Sequence, residues 1–201
     1  MASGSDDGAA AVALTRAFAG DYAFWTYVEP DHKERFRKLL AWFPAAVRYS
    51  QLYGTVDEHT IDGGTAGAAL WLPPETHEMS FWRMLRSGML RTPRILGRAA
   101  FRRLNAGSHA LDAARERLMP AGAVYLWIIG VDPAYQGRGQ GAATIEPGLE
   151  RVDAARVPAY LETHTERNLA FYARHGFEVV THEHPDAGPP FWTMLRPGAT
   201  T

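Results

Sequence analysis

The chain has 201 residues, of which 46% are hydrophobic and 21% are charged, and its formal net charge is −1. The length and composition predict one globular domain over residues 1–201. The small net charge gives no electrostatic attraction to nucleic acid or to an acidic membrane surface. Because the chain contains no cysteine, disulfides, thiolate metal sites and cysteine-linked acyl intermediates are excluded.

The N-terminal segment predicts neither a secretory signal nor a membrane span. Its first residues, MASGSDDGAAAVAL, are acidic and lack the basic flank and long apolar run of a signal peptide. No apolar stretch of the chain approaches the roughly 20 residues that cross a bilayer. We therefore expect a cytoplasmic protein that is disordered over residues 1–9 and contacts no membrane.

Two helices and a hairpin are predicted in the first third of the chain. AAVALTRAFAG predicts a short helix that ends at Gly20, and DHKERFRKLLAWF predicts an amphipathic helix. The apolar face of this second helix contains Phe36, Leu39, Leu40 and Phe43. Between the helices lies an irregular segment with four aromatic residues, Tyr22, Phe24, Trp25 and Tyr27. The stretch SQLYGTVDEHTIDGGTAGAALWLPP predicts a hairpin that turns at residues 62–64.

Residues 75–118 differ from the rest of the chain in their excess of arginine over acidic residues. Arg94, Arg98 and Arg102 recur at i, i+4 and i+8, which places them on one stripe of a helix. Such a pattern is most often the solvated face of an amphipathic helical insertion. The alternative is a basic wall beside a ligand that carries phosphate.

The second half of the chain predicts a strand, a helix and a parallel strand in a right-handed crossover. AVYLWIIGV shows little alternation, as expected of a strand buried on both faces. GAATIEPGLERVDAAR predicts a helix that bends or breaks at Pro147-Gly148, and VPAYLET predicts the parallel strand. A short helix, NLAFYARHGF, ends at Gly176. EVVTHEHP and PFWTMLRP then close the sheet as an antiparallel pair, so the predicted fold class is α/β (α+β) with a mixed sheet.

The loop VDPAYQGRGQG lies between the buried strand and the start of the helix. A helix start presents unpaired N–H groups and the positive end of its dipole, and glycines let that backbone approach a bulky anion. Arg138 adds positive charge. The loop therefore predicts phosphate binding, with a simple tight turn as the alternative. It has neither the Gly-Lys-Ser/Thr end of a Walker loop nor the G-x-G-x-x-G run of a dinucleotide site.

The same loop resembles the acyl-CoA motif of the GNAT superfamily of N-acetyltransferases, Gln/Arg-x-x-Gly-x-Gly/Ala. Gln136, Gly139 and Gly141 meet that pattern, and the hydrophobic strand and VDP precede them. Further along, ETHTERNLAFYARHGFEV is similar to the superfamily's strand, Asn, aromatic-Tyr and Gly-Phe segment. The resemblance runs in order from about residue 120 to residue 180, and the combination is highly specific.

More narrowly, VPAYLETHTERNLAFYARHGF and the closing WTMLRPGA resemble the puromycin N-acetyltransferase branch, known for antibiotic self-resistance. A weaker likeness extends upstream through AFAGDY, VEPDH and ALWLPPE, so it covers most of the chain. These relatives begin with a strand before the first helix, whereas this chain starts almost directly at that helix. Either that strand lies outside this sequence or the sheet has lost an edge.

The resemblance implies the GNAT fold, a mixed central β-sheet with splayed parallel strands flanked by helices, and a helical insertion before the acyl-CoA-binding strand. It implies acetyl-CoA as co-substrate and direct attack by an amine in a ternary complex. The residues implied to bind acetyl-CoA are Ile129, Gly130, Val131, Gln136, Gly137, Arg138, Gly139, Gln140, Gly141, Ala142, Asn168 and Tyr172. No metal is expected, because His182 and His184 lack a third ligand and are interpreted as surface residues.

Catalytic roles are implied for two residues. Tyr172 is the candidate general acid, since a phenol with a pKa near 10 stays protonated at neutral pH, although a tyrosine on a short helix is often core. Glu162 is the candidate base, and a strand glutamate paired with an arginine is an equal alternative. Asn168 binds the pantetheine arm or caps the helix. Lesser candidates for the base are Glu29, Glu75 and His77.

The predicted acceptor pocket is lined by the aromatic residues Tyr22, Phe24, Trp25 and Tyr27 and by the Met-rich stretch MSFWRMLRSGML, with Glu29 and Glu75 at its border. Plain core packing of the aromatic cluster is the alternative. The predicted function is transfer of an acetyl group to the amine of a small molecule, an antibiotic or a biosynthetic intermediate. The alternatives are acetylation of a peptide or protein, and a non-catalytic acyl-CoA-binding module. We expect a monomer or homodimer with no nucleic-acid partner.

Overall fold

The computed structural model describes residues 7–20 and 22–198. The helices there are α1 (Asp7–Ala19), α2 (Ala23–Val28), α3 (His32–Tyr53), α4 (Phe81–Ser87), α5 (Thr92–Leu118), α6 (Gln140–Ala155) and α7 (Leu169–Arg174). The strands are β1 (Thr55–Ile61), β2 (Gly64–Leu72), β3 (Val124–Val131), β4 (Ala159–Thr163), β5 (Glu178–Glu183) and β6 (Phe191–Arg196). No helix within these two ranges is long and apolar enough to cross a membrane.

The six strands form one mixed sheet in the order β1-β2-β3-β4-β6-β5. Only β3 and β4 run parallel, and α6 connects them, while the other neighbouring pairs are antiparallel. This topology confirms the predicted hairpin, the parallel crossover and the closing antiparallel pair. Together with the flanking helices it confirms the predicted fold class.

The parallel strands β3 and β4 separate soon after they begin. They pair only at Val124 with Ala159 and at Tyr125 with Tyr160. From Leu126 to Val131 the edge of β3 that faces β4 has no strand partner. The other edge of β3 pairs with β2, and the register shifts between Leu70 and Trp71, so Trp127 forms a bulge.

Each face of the sheet is covered by its own apolar core. On one face α1, α2, α3 and part of α5 pack, with Leu14, Phe43 and Tyr160 fully buried. On the other face α6 and α7 pack against Leu126, Leu161 and Met194. A Cβ at Gly148 would lie 2.2 Å from the Trp71 ring, so glycine is needed there for α6 to contact the sheet.

Several local predictions differ from the structure. The aromatic segment is not irregular, since residues 23–28 form α2, and α3 continues to Tyr53. Helix α6 is continuous through Pro147 rather than broken. Phe36 and Leu40 are 36% and 42% exposed, because the inner face of α3 is formed by Leu39 and Phe43 instead. Residues 7–9 belong to α1, whereas the predicted disorder of residues 1–6 lies outside the described residues.

The predicted arginine stripe is interrupted by Gly97. Its backbone has φ 74° and ψ 167° inside α5, so Arg94 lies before the interruption and Arg98 after it. Arg94, Arg98 and Arg102 are all exposed. Within the described ranges no strand precedes α1, and β1 is one edge of the sheet.

Candidate active site

The glycine loop after β3 has the backbone geometry of an anion cradle. Gly137 and Gly139 both have φ 78°, a conformation that favours glycine, and Gly139 is the N-terminal cap residue of α6. A Cβ at either position would meet no atom within 4 Å, so the space beside this backbone is open. The first N–H groups of α6 point out of the helix at this place. Arg138 is exposed beside them and makes no ion pair with the described residues.

Side chains on both sides hold the loop in this shape. Gln136 Nε2 donates to the Val131 carbonyl at 2.8 Å, and Gln140 Nε2 donates to the Arg138 carbonyl at 3.0 Å. His59 Nε2 lies 2.7 Å from Gln140 Oε1. Gln136 and Gln140 therefore act on the loop backbone and leave the N–H groups free.

A buried carboxylate anchors the start of the loop. Asp132 accepts from the Ala134 N–H at 3.0 Å and pairs with Arg16 of α1 at 3.0 Å. The Asp132 N–H donates to the Ala66 carbonyl of β2 at 2.8 Å. Neither Asp132 nor Arg16 was predicted as a site residue, since no local pattern reveals this long-range pair.

The open edge of β3 presents main-chain amides to the gap between the parallel strands. The Asp132 N–H points toward β2, whereas the Val131 carbonyl accepts from Gln136 on the opposite edge. Because N–H groups alternate along a strand, Ile129 and Val131 direct theirs away from β2. Before the bulge, the even-numbered residue Val124 directs its N–H toward the β4 side, where it donates to the Pro158 carbonyl. After the bulge at Trp127, the odd-numbered residues direct their N–H groups to that side.

A cavity of about 800 Å³ begins in this gap and extends under α5. Its walls come from α1, α2, α3, α5, β3, β4 and α7, and most of the side chains are aromatic or aliphatic. Its polar wall residues near β4 are Tyr125, Glu162, His164, Asn168, Tyr172 and Arg115. The candidate acid, the candidate base and the candidate pantetheine ligand therefore line one cavity.

Glu162 is a buried carboxylate on the cavity wall, with 4% of its side chain exposed. Burial raises its pKa above the ordinary value of 4.5, while Arg115 opposes this shift with Nη1 at 3.5 Å from Oε1. The guanidinium of Arg115 also pairs with Asp112 and lies 4.8 Å from the Tyr125 ring centre. The charge of Asp112 also raises the pKa of Glu162, while the phenols of Tyr125 and Tyr160 lower it. The phenol of Tyr22 is a further titratable group that faces the carboxylate.

Glu162 has features of both alternatives, a catalytic base and a strand glutamate that pairs with an arginine. The residue is paired with an arginine, and it also has a raised pKa and access to the cavity. A carboxylate with a raised pKa is a stronger base than an exposed one. The sequence did not point to Arg115 in particular, because it was one of nine arginines in residues 75–118.

Tyr172 is buried on α7, and burial raises the pKa of its phenol far above 10. The phenol is therefore protonated at neutral pH. Its hydroxyl makes no hydrogen bond with the described residues, although its side chain lines the cavity. Asn168 precedes α7 and makes no side-chain cap bond, so its amide is also free to face the cavity.

The predicted acceptor residues divide into two groups. Tyr22, Phe24 and Trp25 line the cavity, whereas Tyr27 packs near Gly107 and does not line it. Glu29 and Glu75 also lie outside the cavity lining. The Glu29 carboxylate pairs with Lys38 at 2.5 Å, and Glu75 is exposed, with its carbonyl accepting from Arg83.

The predicted histidines also fall in different places. His77 lines the far end of the cavity, with Nδ1 at 2.6 Å from the Pro74 carbonyl. His182 and His184 are exposed, and His182 stacks on Trp192. Over the part of the chain that the structure describes, no group of three or more His, Cys, Asp or Glu residues could hold a metal ion.

Residues 91–177, which contain β3, the glycine loop, α6, β4 and α7, match the family model Acetyltransferase (GNAT) family. An uncharacterized N-acetyltransferase of Schizosaccharomyces pombe is 27% identical over 173 residues, or 84% of this chain and 69% of that protein. These matches support a GNAT-superfamily acetyltransferase.

Solved structures agree on the GNAT fold. A Corynebacterium glutamicum structure described as histone acetyltransferase HPA2 and related acetyltransferase has a TM-score of 0.67 at 24% identity, covering 100% of this chain and 95% of that chain. A polyamine N-acetyltransferase of Drosophila melanogaster has a TM-score of 0.57 at 15% identity, covering 92% and 91%. Since these names refer to very different acceptors, the GNAT fold alone does not identify the acceptor.

The geometry fits the acetyl-CoA that GNAT enzymes use in general. A diphosphate needs a backbone without side chains in the way, and the loop over Gly137 and Gly139 supplies it. A pantetheine arm carries amides that pair with a strand edge, and the unpaired edge of β3 at Ile129 and Val131 faces the gap. The gap continues into the cavity that holds Glu162 and Tyr172.

Gly139→Glu should lower the affinity for CoA by roughly 100-fold or more, because like charges brought together cost several kcal/mol. Isothermal titration with CoA measures this. Gly122→Glu is the matched control, since Gly122 has φ 81° and open space around it but lies at the other end of β3. Equal losses in both variants, or full affinity in Gly139→Glu, would contradict a phosphate site at this loop.

Proposed function

We propose that this protein transfers the acetyl group of acetyl-CoA to the amine of a small molecule with a bulky apolar body, by direct attack in a ternary complex. The observation that carries the proposal is the single cavity of about 800 Å³ that joins the gap between β3 and β4 to an aromatic chamber. Glu162 and Tyr172 both lie on its wall. The GNAT matches and the resemblance to the puromycin N-acetyltransferase branch agree with this assignment.

Glu162 acts as the base. An alkylammonium has a pKa near 10 and must lose a proton before it can attack. The raised pKa of the Glu162 carboxyl makes it a better proton acceptor than a solvated carboxylate, and its position on β4 lets it receive the proton directly or through water. Arg115 holds this carboxylate in place, so it acts as a positioning residue.

Main-chain amides and a phenol stabilise negative charge as it develops. Bound acetyl-CoA supplies an activated thioester, whose carbonyl gains charge during attack and whose sulfur leaves as a thiolate. The N–H of Ile129 on the open edge of β3 donates toward that carbonyl, and such donors lower a barrier by about 3 kcal/mol. Tyr172 donates its hydroxyl hydrogen toward the leaving sulfur. The raised pKa of this phenol keeps it protonated until the sulfur leaves.

The chamber favours a compact aromatic amine over a peptide or a polyamine. Phe18, Tyr22, Phe24, Trp25 and Phe43 line it. Of the carboxylates that also line it, those of Glu78, Asp112 and Glu116 belong to exposed residues and that of Glu162 is buried, so the interior offers no second buried carboxylate to a second ammonium. Helix α5 covers the chamber, and the loop between β5 and β6 contacts α5 where Gly188 meets Gly107. An extended peptide needs an open groove instead. An antibiotic or a biosynthetic intermediate with an aromatic group fits this chamber.

The proposal is tested by thiol release from acetyl-CoA with three acceptors: an arylalkylamine, spermidine and a short peptide with a free N-terminus. The expected order of kcat/KM places the arylalkylamine first. A preference for the peptide or for spermidine would contradict the proposal that the acceptor is a small aromatic amine. Binding of CoA with no turnover of any amine in a broad panel would favour the non-catalytic module.

The pH dependence of kcat/KM should report Glu162. Because burial raises its pKa, the rate should fall as the pH is lowered through a value above 4.5, where the carboxyl gains its proton and stops acting as a base. Arg115→Gln should move this acid limb to higher pH, since the guanidinium lowers the pKa of Glu162. In Glu162→Gln the limb should vanish along with most of the rate. A limb unchanged in both variants would remove Glu162 from the mechanism.

Tyr172→Phe should lower kcat by roughly 100-fold, the lower end of the range for general acid catalysis, and leave the affinity for CoA unchanged. Steady-state kinetics and titration calorimetry measure the two quantities. Tyr27→Phe serves as the control, because Tyr27 lies outside the cavity lining and should keep full activity. An unaffected kcat in Tyr172→Phe would show that the phenol has no part in the reaction.

A further inference from the structure

His164 is a cavity residue to which neither the sequence analysis nor the proposed mechanism gives a role. It follows the end of β4, two residues after Glu162, and lines the same cavity. Its ring stacks on Phe24 with 5.0 Å between the ring centres and meets the edges of Tyr22 and Phe191. Three aromatic rings therefore fix the plane of the imidazole.

A backbone carbonyl determines which nitrogen of His164 carries hydrogen. Nδ1 lies 3.1 Å from the Pro190 carbonyl, and a carbonyl can only accept, so Nδ1 carries the hydrogen. Burial lowers the pKa of the ring to about 4, so the ring is neutral at pH 7. Nε2 is then a lone-pair acceptor. The Pro189 carbonyl also lies near the ring, and among the described residues the hydrogen bond of the imidazole with a defined distance is the one from Nδ1 to Pro190.

Glu162 and His164 present two acceptors to the same part of the cavity. His164 lies at the bend that directly follows β4, and its side chain and that of Glu162 both line the cavity. Tyr22 relates the two residues, since its ring centre lies 6.0 Å from that of His164, and burial and the charge of Glu162 both raise the pKa of its phenol. Two acceptors in one cavity suit a group that donates two hydrogens.

We propose that His164 Nε2 binds the second hydrogen of the attacking amine, beside the Glu162 carboxylate, and thereby restricts the enzyme to primary amines. This inference rests on the proposed function. A primary amine keeps one N–H for each acceptor while its lone pair points at the thioester. A secondary amine has one N–H for both, so it leaves Nε2 facing an alkyl group without a partner, which a buried polar site rejects.

The test uses two variants of His164 and a matched pair of acceptors, phenethylamine and N-methylphenethylamine. His164→Asn keeps an amide hydrogen for the Pro190 carbonyl but lacks the Nε2 acceptor, and His164→Phe keeps the ring stack but lacks both. Wild-type protein should prefer the primary amine, and both variants should lose kcat/KM for it by roughly 10- to 100-fold, as expected for one buried hydrogen bond. The N-methyl compound should change little, and the affinity for CoA should stay the same.

One result would overturn the inference while the proposed function stands. It is a ratio between the two amines that stays at the wild-type value in His164→Asn and His164→Phe, whether the rates are unchanged or both fall equally. If wild-type protein acetylates no amine at all, the proposed function fails instead.

The contact between His164 and the amine can also be tested by NMR, without turnover. In protein labelled with ¹⁵N-histidine, the His164 signals are identified by their absence in His164→Asn. Nε2 should be unprotonated at neutral pH, and its shift should move when phenethylamine is added to the CoA complex. A hydrogen on Nε2, or a shift that ignores the amine, would contradict the proposed contact.

Discussion

The separation of β3 and β4 after two residue pairs is the constraint on which the rest of the site depends. A parallel pair inside a sheet normally satisfies every amide on its facing edges, and leaving such groups without partners in an apolar interior is costly. Here the edge of β3 beyond Tyr125 is open, and the bulge at Trp127 turns the amides of Ile129 and Val131 toward the gap. The open edge therefore offers main-chain donors to a ligand that carries amides of its own.

The charge inside the cavity follows from the same gap. Since β4 is pulled away from β3, Glu162 has room to face the chamber, yet it remains too buried to be solvated. Arg115 reaches it from α5 and shares its guanidinium with Asp112, which is 64% exposed. An ion pair stretched to 3.5 Å and divided between two carboxylates leaves the inner one only partly compensated. The pKa of the Glu162 carboxyl is therefore raised despite its ion pair with Arg115.

Much of the fold and the backbone shape of the glycine loop could be predicted because their determinants are local. Gly137 and Gly139 occupy backbone conformations that few other residues adopt, and the motif around them indicates both the loop and its position before α6. Tyr172 and Asn168 follow from the same kind of short pattern. The acceptor side depends on long-range contacts instead. Nothing near Glu29 in the sequence indicates that Lys38 pairs with it, nor which arginine of α5 reaches Glu162.

The close approach of Gly188 to Gly107 ties the loop between β5 and β6 to α5. A Cβ on Gly188 would lie 3.2 Å from the Cα of Gly107, and Gly188 also has φ 104°, so any side chain at this joint pushes the two segments apart. The same loop carries the Pro190 carbonyl that orients His164. A side chain at Gly188 would thus displace the loop that orients the imidazole. A Cβ at Gly107 would instead lie 2.9 Å from the ring of Phe24, which stacks on that same imidazole, so both glycines determine where His164 sits.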